Sequence, residues 1–200
     1  MNITQAEVDR LNSIEGRVRG TVFQTDAAYI KGIKGEGGLS LVEQKIQEWG
    51  CAISYSSIKA SDWFPVGCRA LSILSAQEVF SWDEEDVRKM GYAAPAHSFV
   101  VKMLMKYFLS IQQTYKQSAQ YWPAHYTIGK LETPEFNEKE QYMIIRLKDF
   151  SVHPVLCAYF KGYFLRLTEI ASPYQDLRVE ERSCAFQDGK DHEFFLRWEK

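Results

Sequence analysis

Leu177-Arg178-Val179-Glu180-Glu181-Arg182-Ser183-Cys184, a turn at Asp188-Gly189, and His192-Glu193-Phe194-Phe195-Leu196-Arg197-Trp198 form the stretch that decides the fold. Both flanks are strand-like, and an Asp-Gly pair between them favours the positive φ of a tight hairpin. Such a turn folds His192 back toward Cys184 and Glu181. Upstream, the apolar run from Pro154 to Ile170 reads as a helix that begins near Cys157 and packs across the hairpin. Two thiols, an imidazole and a carboxylate then converge as the ligand set of a closed tetrahedral metal site: Cys157, Glu181, Cys184 and His192. The alternative needs no metal: two half-buried cysteines and a histidine facing water.

Working outward, Tyr142-Met143-Ile144-Ile145-Arg146-Leu147 is dense in strand formers. Strands are expected near 126–132, 142–150, 177–186 and 193–198. The part before them reads mainly as helix. Residues 14–23 suit an extended entry segment, and Thr25 or Asp26 then caps a short helix. Gly35-Glu36-Gly37-Gly38 forms a connection, and Ser40 caps a second helix ended by Gly50. Val66 to Phe80 is a third helix. Ser81 with Glu84 makes a capping box for Trp82 to Met90, which Gly91 stops. Pro95 opens the longest helix, to about Ser118, with the stripe Phe99, Met103, Leu104, Tyr107, Phe108 and Ile111. Helices first and strands second predict an α+β fold. A helical part over 1–120 packs on a four-stranded antiparallel sheet over 121–200, with one inserted helix, as a single domain.

Composition narrows the function. An apolar fraction of 46% over 200 residues supports a packed core. A net charge of −2 with scattered lysines and arginines excludes nucleic acid as the main partner. The amino terminus lacks the basic-then-apolar pattern of a signal peptide, and no apolar run nears the roughly 20 residues that span a bilayer. A cytoplasmic location follows as the expectation, with no membrane partner. Cys51, Cys68, Cys157 and Cys184 are then expected as thiols rather than disulfides.

Catalytic signatures are absent from the sequence. The glycine-rich segment lacks the Gly-Lys-Ser/Thr ending of a phosphate loop, and no Gly-x-Ser-x-Gly elbow occurs. The acidic run Asp83-Glu84-Glu85-Asp86 suits the first turn of a helix without any bound ion. The aromatic group Tyr107, Phe108, Tyr115, Tyr121, Trp122 and Tyr126 either lines a small-molecule pocket or fills the core.

Cys157 before Gly162-Tyr163, then Glu181 and Cys184, a glycine turn and His192 resemble the ending of 4-vinyl reductase domains, small-molecule sensor modules in which a cysteine takes the last position. Gly20-Thr21-Val22-Phe23, Ser61-Asp62-Trp63-Phe64-Pro65, the segment Asp83 to Gly91 and the closing run Val155 to Trp198 are similar, in the same order, to heme-nitric oxide/oxygen binding (H-NOX) domains. The resemblance implies a helical part on an antiparallel sheet with a ligand pocket between them. Those heme domains carry a proximal histidine and a Tyr-x-Ser-x-Arg motif. Neither His97 nor His125 falls at the matching position, and Ile144-Ile145-Arg146-Leu147-Lys148-Asp149 lacks the motif. The cofactor expectation is therefore structural zinc, with heme not expected.

The expected function is a non-catalytic module that senses or binds a small apolar or aromatic molecule. With the chain ending at Lys200, its signal passes through a signalling partner or an oligomer, a homodimer being one arrangement. Two alternatives stay open: an enzyme or carrier handling a tetrapyrrole or similar small molecule, and a structural protein-interaction module like the vesicle-tethering relatives of these domains.

Overall fold

The computed structural model describes residues 3–97, 119–172, 174–187 and 189–199. Its elements run α1 (Gln5–Ser13), β1 (Arg17–Arg19), α2 (Gly20–Glu48), β2 (Trp63–Pro65), α3 (Val66–Phe80) and α4 (Glu84–His97). Residues 119–125 are helical. There follow β3 (Lys130–Asn137), β4 (Tyr142–Lys148), α5 (Val155–Ala171), β5 (Gln175–Ser183) and β6 (His192–Glu199). The four long strands form one antiparallel sheet in the order β3-β4-β6-β5, and β1 pairs with β2 in a separate ribbon. This is the expected α+β architecture, with α5 inserted between the two halves of the sheet sequence.

Side-chain alternation sets the inner face of the sheet. Met143, Ile145 and Leu147 of β4 and Phe194, Leu196 and Trp198 of β6 are buried, while their neighbours are not. Against this face lies α5, whose Phe164 ring sits 5.1 Å from that of Phe194. The other side of α5 meets α4. A β-carbon at Gly162 would fall on the carbonyl oxygen of Arg88, and one at Gly91 on that of Tyr159. The two helices thus cross backbone to backbone, and α5 is clamped between α4 and the sheet.

Several local expectations change. The extended entry ends at Arg19, where three residues pair with Trp63–Pro65, and α2 begins at once at Gly20. The glycine connection is no break, because α2 continues through it with only Gly35 leaving helical geometry, at φ 71°. Ser40 therefore bonds back to the Glu36 carbonyl instead of capping a new helix. Asp26 caps nothing either. It is buried and ion-paired with the buried Arg69 of α3.

Ser81 closes α3 in the left-handed region, and Asp83 caps α4 by accepting from the Asp86 amide. Gly91 lies inside α4, where the contact with α5 requires it, and Pro95 is inside α4 as well. The remainder of the expected Pro95–Ser118 helix, with its apolar stripe, lies outside the described residues. β3 is longer than expected because a register shift between Glu132 and Glu135 accommodates Pro134. Cys51 and Cys68 are joined by a disulfide with Cα atoms 5.9 Å apart, against the expectation of free thiols. The turn after α2 returns Cys51 to the first turn of α3, within bridging range. No helix among the described residues is long and apolar enough to cross a membrane.

The clamp on α5 gives a stability prediction. Gly162→Ala should lower the urea midpoint by the equivalent of about 1–3 kcal/mol, the usual cost of overpacking. Gly37→Ala, where a β-carbon meets nothing within 4 Å, should be neutral or stabilising by about 0.5–1 kcal/mol. Equal effects from the two would contradict the crossing.

Candidate metal centre

Cys157, Glu181, Cys184 and His192 meet at the end of the sheet where α5 begins. Each arrives for a local reason. Cys157 lies in the first turn of α5, its amide bonded to the Pro154 carbonyl at 2.9 Å. Glu181 shares the half-buried side of β5 with Leu177 and Val179. A register shift between Glu181 and Ser183 ends regular pairing, so that Cys184 follows at the strand terminus. Its carbonyl accepts the amides of Gln187 and Gly189 at 3.0 and 3.1 Å, and Ser183 Oγ donates to the Asp191 carbonyl at 2.8 Å. These bonds return the chain to His192, the first residue of β6. Gly189 is needed for room: a β-carbon there would strike Ser183 Oγ and the Cys184 backbone. Asp188 lies outside the described residues.

All four ligand atoms lie within 4.8 Å of one another. The Cys157 and Cys184 sulfurs are 3.8 Å apart, Cys157 Sγ is 3.5 Å from His192 Nδ1, and that nitrogen is 3.1 Å from Glu181 Oε1. A tetrahedral ion with sulfur at about 2.3 Å and nitrogen or oxygen at about 2.0–2.1 Å has S–S, S–N and N–O edges of roughly 3.8, 3.5 and 3.3 Å. The three observed separations match those edges to within a few tenths of an ångström.

The surroundings support the imidazole in the same role. His192 is 2% exposed, and its Nε2 donates to the Phe150 carbonyl at 3.0 Å. That bond places a proton on Nε2 and turns Nδ1 toward the thiols and the carboxylate. The alternative of a histidine facing water is thereby excluded. Burial pushes the Cys157 thiol up, and the nearby Glu181 and Cys184 push it the same way. Burial also raises Glu181, but hydrogen bonds from His192, Cys157 and Cys184 outweigh it and hold the carboxyl below its ordinary range.

Other singled-out residues do not join this cluster. Trp122 stacks on Tyr126 at 4.6 Å and packs against Phe150 and Phe160, so these two aromatics are core. Tyr107, Phe108 and Tyr115 lie outside the described residues. A feature missed in the sequence is an open groove of about 1100 Å³ that Cys157, Glu181 and Cys184 border. It is walled by α1, α3, α4, α5 and β5, and no local pattern encodes the meeting of five elements.

No family model and no curated protein sequence matches the chain. Solved structures do. An H-NOX protein from S. oneidensis in the Fe(II)NO ligation state matches with a TM-score of 0.69 at 9% identity, over 91% of this chain and 99% of that one. The Fe(II) unliganded H-NOX protein from K. algicida matches at 0.60 and 11% identity, over 91% and 97%. A structure described for the modulation of heme redox potential through porphyrin distortion matches at 0.59 and 13%, over 90% and 99%. The expectation of zinc with heme set aside is corrected by this finding. Proteins sharing the fold are described as Fe(II) and heme proteins, and these neighbours give zinc no support. Across nearly its whole length the chain has the H-NOX fold, at a distance where sequence identity is about one residue in ten.

Proposed function

We propose that the protein is a non-catalytic small-molecule sensing module with heme as the cofactor to test first. The observation that carries this reading is the fold match over 91% of the chain to an H-NOX protein in its Fe(II)NO state. Of the four histidines, one keeps an unused ring nitrogen that could hold a heme iron. His192 belongs to the metal cluster, His153 engages Glu7 and the Val155 amide through its two ring nitrogens, and His97 is exposed. His125 keeps a buried Nδ1 with no hydrogen-bond partner. Burial, with Arg19 adding to it, holds the His125 ring below its ordinary pKa, so the imidazole stays neutral with a lone pair to offer. When bound, heme would supply an iron for a small gaseous ligand, and His125 would be the residue that holds it.

The metal cluster serves structure in this reading. Four protein ligands leave no position for an activated water, so an ion there ties α5 to both strands of the terminal hairpin. Motion of α5 on ligand binding would thus be carried to β5 and β6 as one body.

Three measurements test these assignments. Reconstitution with hemin followed by reduction should give about one heme per chain with a Soret band that moves on adding nitric oxide. His125→Ala should weaken retention and change that spectrum, and wild-type protein that binds no hemin would end the heme reading. Cobalt(II) added to metal-free protein should give the visible bands of a tetrahedral ion with a thiolate charge-transfer band. Cys184→Ser should abolish both and lower the thermal midpoint, losing more affinity than the roughly 10–100-fold typical of an outer-shell change. An octahedral spectrum, or cobalt uptake unaffected by the substitution, would refute the centre.

The third is a pH dependence. Because burial depresses His125 below the ordinary value of 6.5, the unfolded chain binds this proton first as pH falls. Its contribution is complete above the unfolded pKa and is lost as pH drops toward the folded one, so stability should decline from about pH 7 to 5.5. His125→Gln should flatten that slope in denaturant titrations, and an unchanged slope would show that other groups set it.

A further inference from the structure

Among the described residues β5 is an edge strand, paired on one side with β6 and on the other with no strand. Along a strand successive side chains point to opposite faces, so a groove meeting only a face touches every second residue. The groove beside the metal cluster is bordered by five consecutive residues of β5, 179 to 183. It therefore runs along the open edge of the strand, where backbone N–H and C=O groups point outward. Its volume of about 1100 Å³ exceeds the roughly 300–1,000 Å³ of small-molecule pockets.

We propose that this edge and groove receive an extended, cationic segment of a partner protein, which adds to the sheet as a strand beside β5. Backbone pairing supplies the register, and pockets along the groove take alternate side chains. Apolar contact comes from the half-buried Trp82 and Val179, backed by the buried Leu74 and Val155. The charge is complementary to a basic segment: Glu7, Asp83, Glu84, Glu180 and Glu181 border the groove and outnumber Lys161 and Arg182, which pair with Glu84 and Glu180, while Glu7 meets His153. A second copy of this chain is the competing occupant, because pairing of β5 with itself about Val179 would set Arg178 opposite Glu180, and self-association is therefore an outcome of the test. Since Cys157, Glu181 and Cys184 form part of the same wall, docking reads out the segment that the metal cluster fixes. The inference deepens the sensing reading by naming its output surface, and rests on that reading only for the signal transmitted.

The test uses fluorescently labelled, end-blocked peptides of about eight residues, a common strand length. One alternates Lys and Val, one alternates Glu and Val, and a third is the Lys/Val peptide N-methylated along one edge. The Lys/Val peptide should bind saturably by anisotropy and protect the amides of residues 179–183 from hydrogen exchange. Its affinity should fall about tenfold or more when salt rises from about 0.05 to 0.5 M. Glu180→Lys, an exposed change outside the four metal ligands, should weaken it comparably, and N-methylation should abolish binding. Equal binding of the Glu/Val or N-methylated peptide, or no binding at millimolar peptide, would overturn the proposal. So would self-association of the protein that protects the same amides. No arm involves hemin or gas, so failure here leaves the heme result standing, and the reverse.

Discussion

Two helices meet at Gly91 and Gly162 with no room for a β-carbon at either position, and the placement of every functional side chain follows from that contact. Backbone-to-backbone approach fixes α5 along its length against α4, while its aromatic face is fixed against β6. Interiors are close-packed, so an element held from both sides cannot shift without disturbing both neighbours. The amino-terminal turn of α5 is consequently a fixed point at the end of the sheet. Cys157 stands in that turn, Phe150 presents its carbonyl just before it, and the hairpin ligands are read against that point.

The composition of the cluster has its own physical logic. Two thiols and a carboxylate share a largely buried space, where charged forms are disfavoured by burial and by one another. Cys157 shows both effects, since burial and its anionic neighbours raise it together. Without a cation, burial keeps Cys157 a thiol. With one, the same groups deprotonate and become ligands, so affinity should be coupled to proton release. The bond from His192 Nε2 to the Phe150 carbonyl turns Nδ1 toward the centre.

The meeting of Cys157, Glu181, Cys184 and His192 was legible because a strand-turn-strand with fixed spacing and an adjacent apolar helix leaves little choice of where they point. α3 was legible for similar reasons, with Pro65 before it and a continuous apolar pattern within it. What escaped depends on partners distant in sequence. Arg17–Arg19 forms a strand only because Trp63–Pro65 lies beside it. Gly91 looks like a helix stop until α5 is seen against it, and Pro134 looks like a loop until the register shift in β3 is known. The Cys51–Cys68 bond rests on the return of the chain after α2, which no spacing rule gives. The heme expectation failed differently. It asked for matching motif positions, whereas the fold is retained in neighbours only about a tenth identical.

The helical half is tied to the clamp by charge as well as by shape. Asp26 of α2 and Arg69 of α3 form an ion pair buried from water, and the Arg69 guanidinium lies 4.4 Å from the centre of the Tyr159 ring of α5. A buried pair adds little net stability against apolar replacements, but removing one partner leaves an uncompensated charge. Its value here is positional: α2, α3 and α5 are held in one register by groups that tolerate no slippage. Tyr159 is also the residue whose carbonyl faces Gly91, so the ion pair and the helix crossing act on the same turn of α5. A ligand that moved α2 or α3 would therefore act on α5 at its most constrained turn. The opposite end of that displacement is the metal cluster and the open edge of β5.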